Sequence, residues 1–234
     1  MTSLRILALA FTTLVAGCGA QDTSTLPQGS EPANLDPADF TDTIDHPYWP
    51  SPPGMTWTYT ERDLEGSEQR VVVTVTEETK EISGIAARVV HDVVKEDGAV
   101  VEDTYDWYAQ DKDGNLWYLG EKTTEYEDGK VASTAGSWQA GVDGAEPGII
   151  LPAKPSVGMS YRQEYYEGKA EDEAEILSLD EWAEVPAGAY EQLLMTKDFT
   201  RLEPDVLEHK FYARGVGLVL ALSVAVPRGR SSSS

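Results

Sequence analysis

Six acidic residues in the middle of the chain could supply the paired carboxylates that glycoside hydrolases use, and they are the first candidates for chemistry. They are Asp143, Glu146, Glu164, Glu171, Asp172 and Glu173. The two carboxyl groups of such enzymes lie about 5 to 9.5 Å apart, and the sequence does not give this separation. A chain with 41 Asp and Glu among 234 residues brings acids together by chance. We therefore keep a carboxylate hydrolase as the least favoured interpretation.

The other common catalytic patterns do not occur in the sequence. The three histidines, His46, His91 and His209, are far apart, and none belongs to an HExxH motif or an HxH pair. The chain contains no GxSxG nucleophile motif, no P-loop, no GxGxxG after a strand and no CxxC. We predict no catalytic residues and a protein that is not an enzyme.

The loop over 111–115, with the sequence DKDGN, resembles the start of a calcium-binding loop, in which oxygen ligands alternate along the chain. The metal ligands would be Asp111, Asp113 and Asn115. A complete loop of this kind ends in a bidentate Glu at position twelve, which is Lys122 here. Asp-Gly and Gly-Asn pairs are also typical of a hairpin turn. We predict a hairpin turn and no cofactor, with calcium as the alternative.

Aromatic residues are unusually dense between residues 105 and 170. Trp107 and Trp117 fit facing positions of two strands, so we expect them in the core. Rings at the neighbouring positions can line an apolar pocket, or they can fill the core of a curved sheet. For the pocket, we predict ligand contacts from Tyr108, Tyr118, Trp138, Tyr161 and Tyr165.

The N-terminus has the pattern of a bacterial lipoprotein signal peptide. Arg5 precedes an apolar run over 6–16 that is too short to span a bilayer. The tetrad VAGC at 15–18 resembles a lipobox, and its last residue, Cys18, is the one cysteine of the sequence. We predict a signal peptide over 1–17 and lipidation of Cys18. The location would be the cell envelope, on an extracytoplasmic membrane face, either the outer membrane or the cell surface.

The mature chain is strongly acidic. Without residues 1–17 it holds 17 Lys and Arg against 41 Asp and Glu, a formal charge of −24. Such a surface repels nucleic acid and attracts cations, although acids spread along a chain are also typical of a solvated surface. We predict a monomer that meets the membrane through its lipid anchor and has no nucleic-acid partner.

From residue 48 onward the apolar pattern has a period of two, which is typical of strands. The run TWTYT at 56–60 alternates hydroxyls and rings, and Val71, Val73 and Val75 alternate along the next run. Asp-Gly and Ser-Gly pairs separate successive runs at hairpin spacing. We predict an all-β fold, in which a curved antiparallel meander sheet forms a half-barrel or an open β-barrel.

Composition predicts the boundaries of the domain. Residues 18–47 are polar and rich in proline, so we predict a lipidated flexible tether. Residues 48–226 form a single β domain, which is long enough to bury a substantial core. The polar residues 227–234 are predicted to be a disordered tail.

Four segments carry a resemblance to known proteins: DWYAQDKDGNLWYLGE (106–121), GIILPAKPSVGMSYRQEYYEGKAED (148–172), VPAGAY (185–190) and RLEPDVLEHKFYARGVGLVL (201–220). They resemble a family of bacterial exported proteins and lipoproteins that has no established activity. The VPAGAY turn and the GVGLV strand are also similar to curved-sheet lipoproteins of the LolA/LppX type, which bind lipid in a half-barrel. The resemblance implies a fold and an envelope location, and fold alone does not imply function.

These patterns together favour a membrane-anchored, exported bacterial lipoprotein without enzymatic activity. Its concave aromatic face would bind an apolar or amphipathic, lipid-like small molecule. The alternative is an acidic, calcium-assisted module that binds a protein or a polysaccharide.

Overall fold

The computed structural model describes residues 26–62 and 66–224. The predicted signal peptide, Cys18 and the tail over 227–234 lie outside these residues. A short 3-10 helix covers Pro37–Asp39. The strands are β1 (Phe40–Thr41), β2 (Asp45–His46), β3 (Trp49–Pro50), β4 (Thr56–Arg62), β5 (Glu68–Ile82), β6 (Ile85–Glu96), β7 (Ala99–Asp111), β8 (Leu116–Glu127), β9 (Lys130–Ser133), β10 (Trp138–Gln139), β11 (Glu146–Leu151), β12 (Ser160–Arg162), β13 (Glu164–Tyr165), β14 (Asp172–Val185), β15 (Gly188–Thr200), β16 (Leu207–Ala213) and β17 (Gly217–Ser223).

The strands build two antiparallel sheets. The large sheet has ten strands in the order β13-β11-β8-β7-β6-β5-β4, with β1 paired to β7 and with β9 and β10 paired to β8. The small sheet has five strands in the order β12-β14-β15-β16-β17, and β2 and β3 form a separate hairpin. The prediction of an all-β, antiparallel, curved half-barrel is confirmed.

Tight turns connect consecutive strands of the large sheet. Ser83-Gly84, Asp97-Gly98 and Asp128-Gly129 have positive φ at both residues, as a type I′ hairpin turn requires. They join β5 to β6, β6 to β7 and β8 to β9. The meander predicted from the turn pairs is therefore present over this part of the chain.

Two glycines let other backbone segments approach the large sheet closely. A Cβ atom on Gly120 of β8 would collide with the backbone of Trp138, and one on Gly148 of β11 would collide with the backbone of Gln163. Larger residues at either position would push these segments away from the sheet. The connection over 136–155 is thus held against β8 through β10 and β11.

The main hydrophobic core gathers side chains from both sheets. Val75 and Val90 of the large sheet share one buried cluster with Leu194 and Tyr212 of the small sheet. The period-two pattern places these residues on the inward faces of their strands. Burial of such side chains from water is the main force that holds a β domain without disulfides together.

The N-terminal segment over 26–47 packs against the sheets, which differs from the predicted flexible tether. The guanidinium of Arg162 is buried and donates hydrogen bonds to the carbonyl oxygens of Gly29 (2.8 Å), Glu31 (2.7 Å) and Pro147 (2.6 Å). Further along the segment, β1 pairs with β7. The side chain of Arg162, which is distant in sequence, donates hydrogen bonds to backbone carbonyls of this segment. The composition of the segment alone does not reveal such a contact. The domain therefore includes residues before 48.

Candidate functional site

A cavity of about 300 Å³ lies between the two sheets. This volume is at the lower end of the range for small-molecule pockets, about 300 to 1,000 Å³. Both sheets and the β2–β3 hairpin contribute to its walls. The lining residues are Trp49, Tyr108, Tyr118, Glu121, Ile150, Gln163, Glu164, Asp172, Lys210, Tyr212 and Leu218.

Four aromatic rings line the cavity. Tyr108 of β7 and Tyr118 of β8 are direct cross-strand partners, and their rings stack with centroids 4.9 Å apart and planes at 18°. The ring of Trp49 lies 5.9 Å from the ring of Tyr108 and 5.9 Å from that of Tyr212 on β16. Such ring pairs are stabilising beyond the area they bury. Trp49 therefore joins the aromatic residues of the two sheets into one wall.

The hydroxyl group of Tyr118 lies between two carboxyl groups. Its oxygen is 2.6 Å from Asp106 Oδ1 and 2.9 Å from Glu121 Oε2. A phenol donates one proton, so the second contact needs a proton on a carboxyl group. Burial raises the pKa of Asp106 well above its usual value and raises the pKa of Glu121 to about 7, although the Tyr118 hydrogen bond opposes both shifts. This group of three side chains therefore holds a carboxyl proton near neutral pH.

Glu164 and Asp172 form a second pair of carboxyl groups in the cavity wall. The two carboxyl groups lie close enough to interact directly. The indole nitrogen of Trp138 donates to Glu164 Oε2 over 2.5 Å. Burial and the negative charge of Asp172 raise the pKa of Glu164 well above its usual value, and burial also raises the pKa of Asp172. Two adjacent buried carboxyl groups cannot both ionise easily, so the pair retains a proton.

Lys210 brings a positive charge to the lining. Its Nζ lies 3.0 Å from Asp198 Oδ2 and 3.6 Å from Glu208 Oε2. Burial lowers the pKa of Lys210, but these two carboxylates outweigh burial and raise the pKa above its usual value. Because Asp198 and Glu208 already balance this charge, the three lining acids Glu121, Glu164 and Asp172 leave the cavity with an excess of acid.

A second cleft, of about 290 Å³, lies beside Arg162. Its lining consists of Gly29, Ser30, Arg162, Glu164, Tyr165, Glu167, Glu171, Glu173 and Arg201. Glu173 pairs with Arg201 at 2.9 Å, and Glu171 accepts a hydrogen bond from the backbone N–H of Gly168 at 2.8 Å. Two of its acids are thus engaged with neighbours, and one aromatic ring borders it. The inter-sheet cavity is the better candidate for a binding site.

The structure separates the five rings predicted to contact a ligand. Tyr108 and Tyr118 line the inter-sheet cavity. Trp138 lies beside it, with its ring edge-on to Tyr118 at a centroid distance of 5.4 Å. Tyr161 is fully buried and donates its hydroxyl proton to a backbone carbonyl at 3.1 Å, so it belongs to the core. Tyr165 borders the second cleft.

Asp111 organises a turn between β7 and β8. One of its carboxylate oxygens accepts hydrogen bonds from the backbone N–H groups of Asp113 (3.0 Å) and Asn115 (2.8 Å). The other accepts from the side-chain amide of Asn115 (2.8 Å) and from the indole of Trp117 (2.8 Å). The residues considered as calcium ligands thus form a hydrogen-bonded hairpin turn. In the part of the chain that the structure describes, no group of three or more His, Cys, Asp or Glu side chains could hold a metal ion.

The six acids considered for catalysis lie in different places. Glu164 and Asp172 come together in the cavity wall. Glu146 accepts a hydrogen bond from the backbone N–H of Ala33 at 2.9 Å, and Asp143 lies exposed in a turn. Glu171 and Glu173 border the second cleft, as described above.

Sequence reasoning missed seven residues of the cavity lining: Trp49, Glu121, Ile150, Gln163, Lys210, Tyr212 and Leu218. Trp49 lies two residues after the predicted tether. The positions of the other six depend on packing between the two sheets, which is not encoded in a local pattern. The aromatic pair at residues 48–49 was the one local signal available.

Comparisons with known proteins give no family for this chain. No family model matches it, and no curated protein matches its sequence. Among solved structures, it is similar to a crystal structure described as a "putative lipoprotein" from Parabacteroides distasonis, at 12% identity and a TM-score of 0.40. The similarity covers 76% of this chain and 91% of that chain. At these values it does not extend to function, so the family resemblance inferred from the sequence motifs stays a prediction.

Residues 26–62 and 66–224 contain no helix with the length and apolar character that crossing a bilayer would require.

Proposed function

We propose that the protein is an exported bacterial lipoprotein, a monomer anchored at an extracytoplasmic membrane face through Cys18. Its function is to bind a small amphipathic molecule in the cavity between the two sheets. The anchor rests on the VAGC tetrad at 15–18, which follows a short apolar run in the manner of a lipoprotein signal peptide. Two or more acyl chains attached to one residue are enough to hold a folded domain on a membrane.

The observation that carries the binding role is the composition of the cavity wall. Aromatic rings in the wall offer apolar surface, and polar groups beside them fix the orientation of a ligand, as is typical of small-molecule sites. Trp49, Tyr108, Tyr118 and Tyr212 supply the rings, and Glu121, Glu164 and Asp172 supply the polar groups. The cavity volume of about 300 Å³ favours a small amphiphile over a diacyl lipid.

The anchor is tested by expressing the full chain in a bacterial host and weighing the mature protein. We expect a mass increase at Cys18 from acyl chains and recovery in the membrane fraction. Cys18→Ala should be recovered without either feature. An unmodified mature chain with a free thiol at Cys18 would overturn the lipoprotein proposal.

The binding role is tested by native mass spectrometry of the Cys18→Ala chain, purified from its own host. We expect a co-purifying small molecule that Trp49→Ala loses, because that change removes part of the aromatic wall. Trp182→Ala is the matched control, since Trp182 is 71% exposed on β14 and outside the cavity. A bare protein mass, or equal retention by both variants, would contradict a ligand in this cavity.

A further inference from the structure

The charges around the cavity are unbalanced. Glu121, Glu164 and Asp172 face it with Lys210, and Lys210 is already paired with Asp198 at 3.0 Å. Beside the lining, the half-buried Asp106 adds a further carboxyl group, which accepts the hydroxyl hydrogen bond of Tyr118. Burying an unpaired charge is costly, so a protein neutralises it with a counter-charge or with a proton.

The geometry around Tyr118 shows that a proton serves this purpose at the cavity. The short contacts of the Tyr118 hydroxyl with Asp106 and Glu121 need one carboxyl proton. At the neighbouring pair, burial raises the pKa of both Glu164 and Asp172, which also favours a retained proton. A proton beside the cavity therefore stands in for a positive charge. A bound cation could take over that role.

The aromatic wall suits a positive charge as well as an apolar body. A cation above the face of a tryptophan or tyrosine ring is attracted by the ring, and more strongly where water is excluded. Tyr108 and Tyr212 are buried around Trp49, with 8% and 1% exposure. Rings and carboxyl groups thus favour the same sign of charge.

We infer that the cavity takes a small organic amine, with its ammonium group at Glu121, Glu164 and Asp172 and its apolar body against the ring of Trp49. This inference rests on the proposed function and names the chemical class of its ligand. An anion would meet three acids, and its natural partner, Lys210, is engaged by Asp198 and Glu208. With a neutral amphiphile the acids would keep their protons, and the ligand would form no ion pair with them.

Binding of an amine is then coupled to release of protons. As the ammonium group approaches, the shared protons leave and the carboxylates form ion pairs with the ligand. The titratable and charged groups that act directly on these acids come from β7, β8, β15 and β16. They are Glu102, Asp106, Tyr108, Tyr118, Asp198 and Lys210. Farther out lie Tyr59, Asp92, Glu208 and Tyr212. Glu164 also borders the second cleft, together with Arg162, Tyr165, Glu167, Glu171, Glu173 and Arg201.

The test uses three probes that share one ring and one chain length: phenethylamine, phenethyl alcohol and hydrocinnamate. Titration calorimetry measures their affinities for the Cys18→Ala chain. We expect the amine to bind at least about tenfold more tightly than the alcohol, which corresponds to one charge-assisted contact, and hydrocinnamate not to bind. Heats in two buffers of different ionisation enthalpy should show net proton release for the amine alone.

The pH dependence gives a second readout. Below about pH 7 the amine must displace a bound proton, so its affinity should fall by up to about tenfold per pH unit for each proton. Glu164→Gln should weaken binding of the amine more than binding of the alcohol. Glu184→Gln is the matched control, because Glu184 lies exposed on the same strand as Asp172, far from the cavity. Circular dichroism and the unfolding midpoint establish that each variant folds.

The outcomes separate this inference from the proposed function. Equal affinity for the amine and the alcohol would overturn the inference that the ligand is an amine, and the proposed binding role of the cavity would still stand. Tighter binding of hydrocinnamate would overturn it as well. If none of the probes binds, the amine inference fails, and the native mass measurement decides independently whether the cavity holds another ligand.

Discussion

Two of the three aspartates of strand β7, Asp106 and Asp111, have opposite surroundings. Asp111 accepts four N–H hydrogen bonds, from Asp113, from Asn115 twice and from Trp117. Asp106 is half-buried and accepts one hydroxyl hydrogen bond, from Tyr118 at 2.6 Å. A carboxylate whose oxygens are saturated with donors is stable as an anion and holds structure together. A buried carboxyl group with few donors retains a proton, and that proton can be exchanged for another positive charge.

The largest loss of stability should come from removing Asp111, the carboxylate that accepts four hydrogen bonds. Asp111→Ala leaves two backbone N–H groups, one amide and one indole without their acceptor, and we expect it to lower the free energy of unfolding by about 2 to 4 kcal/mol. Urea denaturation followed by tryptophan fluorescence measures this loss. Asp113→Ala is the control, because the Asp113 side chain is exposed, and it should change stability by less than about 0.5 kcal/mol. Similar losses for both variants would mean that the Asp111 hydrogen bonds do not stabilise the turn.

A smaller loss of stability is expected when the Tyr118 hydroxyl, which contacts Asp106 and Glu121, is removed. Tyr118→Phe removes the donor between Asp106 and Glu121 and should lower the free energy of unfolding by about 1 to 2 kcal/mol at pH 8. At about pH 5, below the raised pKa of Glu121, the loss should be smaller because a neutral acid needs the hydroxyl less. Tyr105→Phe is the control, because the Tyr105 side chain is exposed to solvent and its ring stacks on the ring of His91. An equal loss at both pH values would argue that the hydroxyl does not serve ionisable partners.

The raised pKa of Glu121 should also make the stability of the protein depend on pH. The folded-state pKa of Glu121, about 7, lies above its ordinary value of 4.5. Between these values the native state binds more protons than the unfolded state, so stability falls as pH rises, by up to about 1.4 kcal/mol per pH unit for one proton.

Glu121→Gln should flatten this slope by the share of one proton, as measured by denaturation across about pH 4 to pH 8. The exposed Glu127, on the same strand, provides the control variant Glu127→Gln. A slope that both variants leave unchanged would contradict the raised pKa of Glu121.

The smallest effect is expected at the turn. Each Asp111 oxygen already accepts two N–H hydrogen bonds, so millimolar calcium should leave the thermal midpoint of the protein unchanged. A midpoint that rises with calcium, and that no longer rises in Asp113→Ala, would instead support the calcium-assisted module.

Local patterns predicted the strands well because hairpins are local structures. Ser83-Gly84 and Asp97-Gly98 have the turn chemistry that a two-residue loop needs, and the strands on either side alternate as a sheet requires. The same alternation did not separate the four rings of this hairpin. The tryptophans Trp107 and Trp117 and the tyrosines Tyr108 and Tyr118 are all buried in the main core, and the two tyrosines also line the cavity. Trp117 lies opposite Ala109, because β7 has an irregularity between Asp106 and Tyr108.

The rest of the site depends on contacts between distant segments. Glu164 meets Asp172 across a turn, and Lys210 reaches the same cavity from the small sheet. Neither position is marked by a local period or motif. The segment over 26–47 shows the same limit, since the residue that holds its start, Arg162, lies more than a hundred positions away.

The packed N-terminal segment also determines how far the domain can stand from a membrane. In the proposed lipoprotein, residues 18–25 separate the acylated cysteine from the first described residue, and eight residues span at most about 28 Å when fully extended. A free segment over 18–47 would span about 100 Å. The shorter distance would keep the Arg162 side of the domain close to the lipid headgroups. The protein would then meet molecules at the bilayer surface, within a narrow layer, and would not sample the wider space between envelope layers.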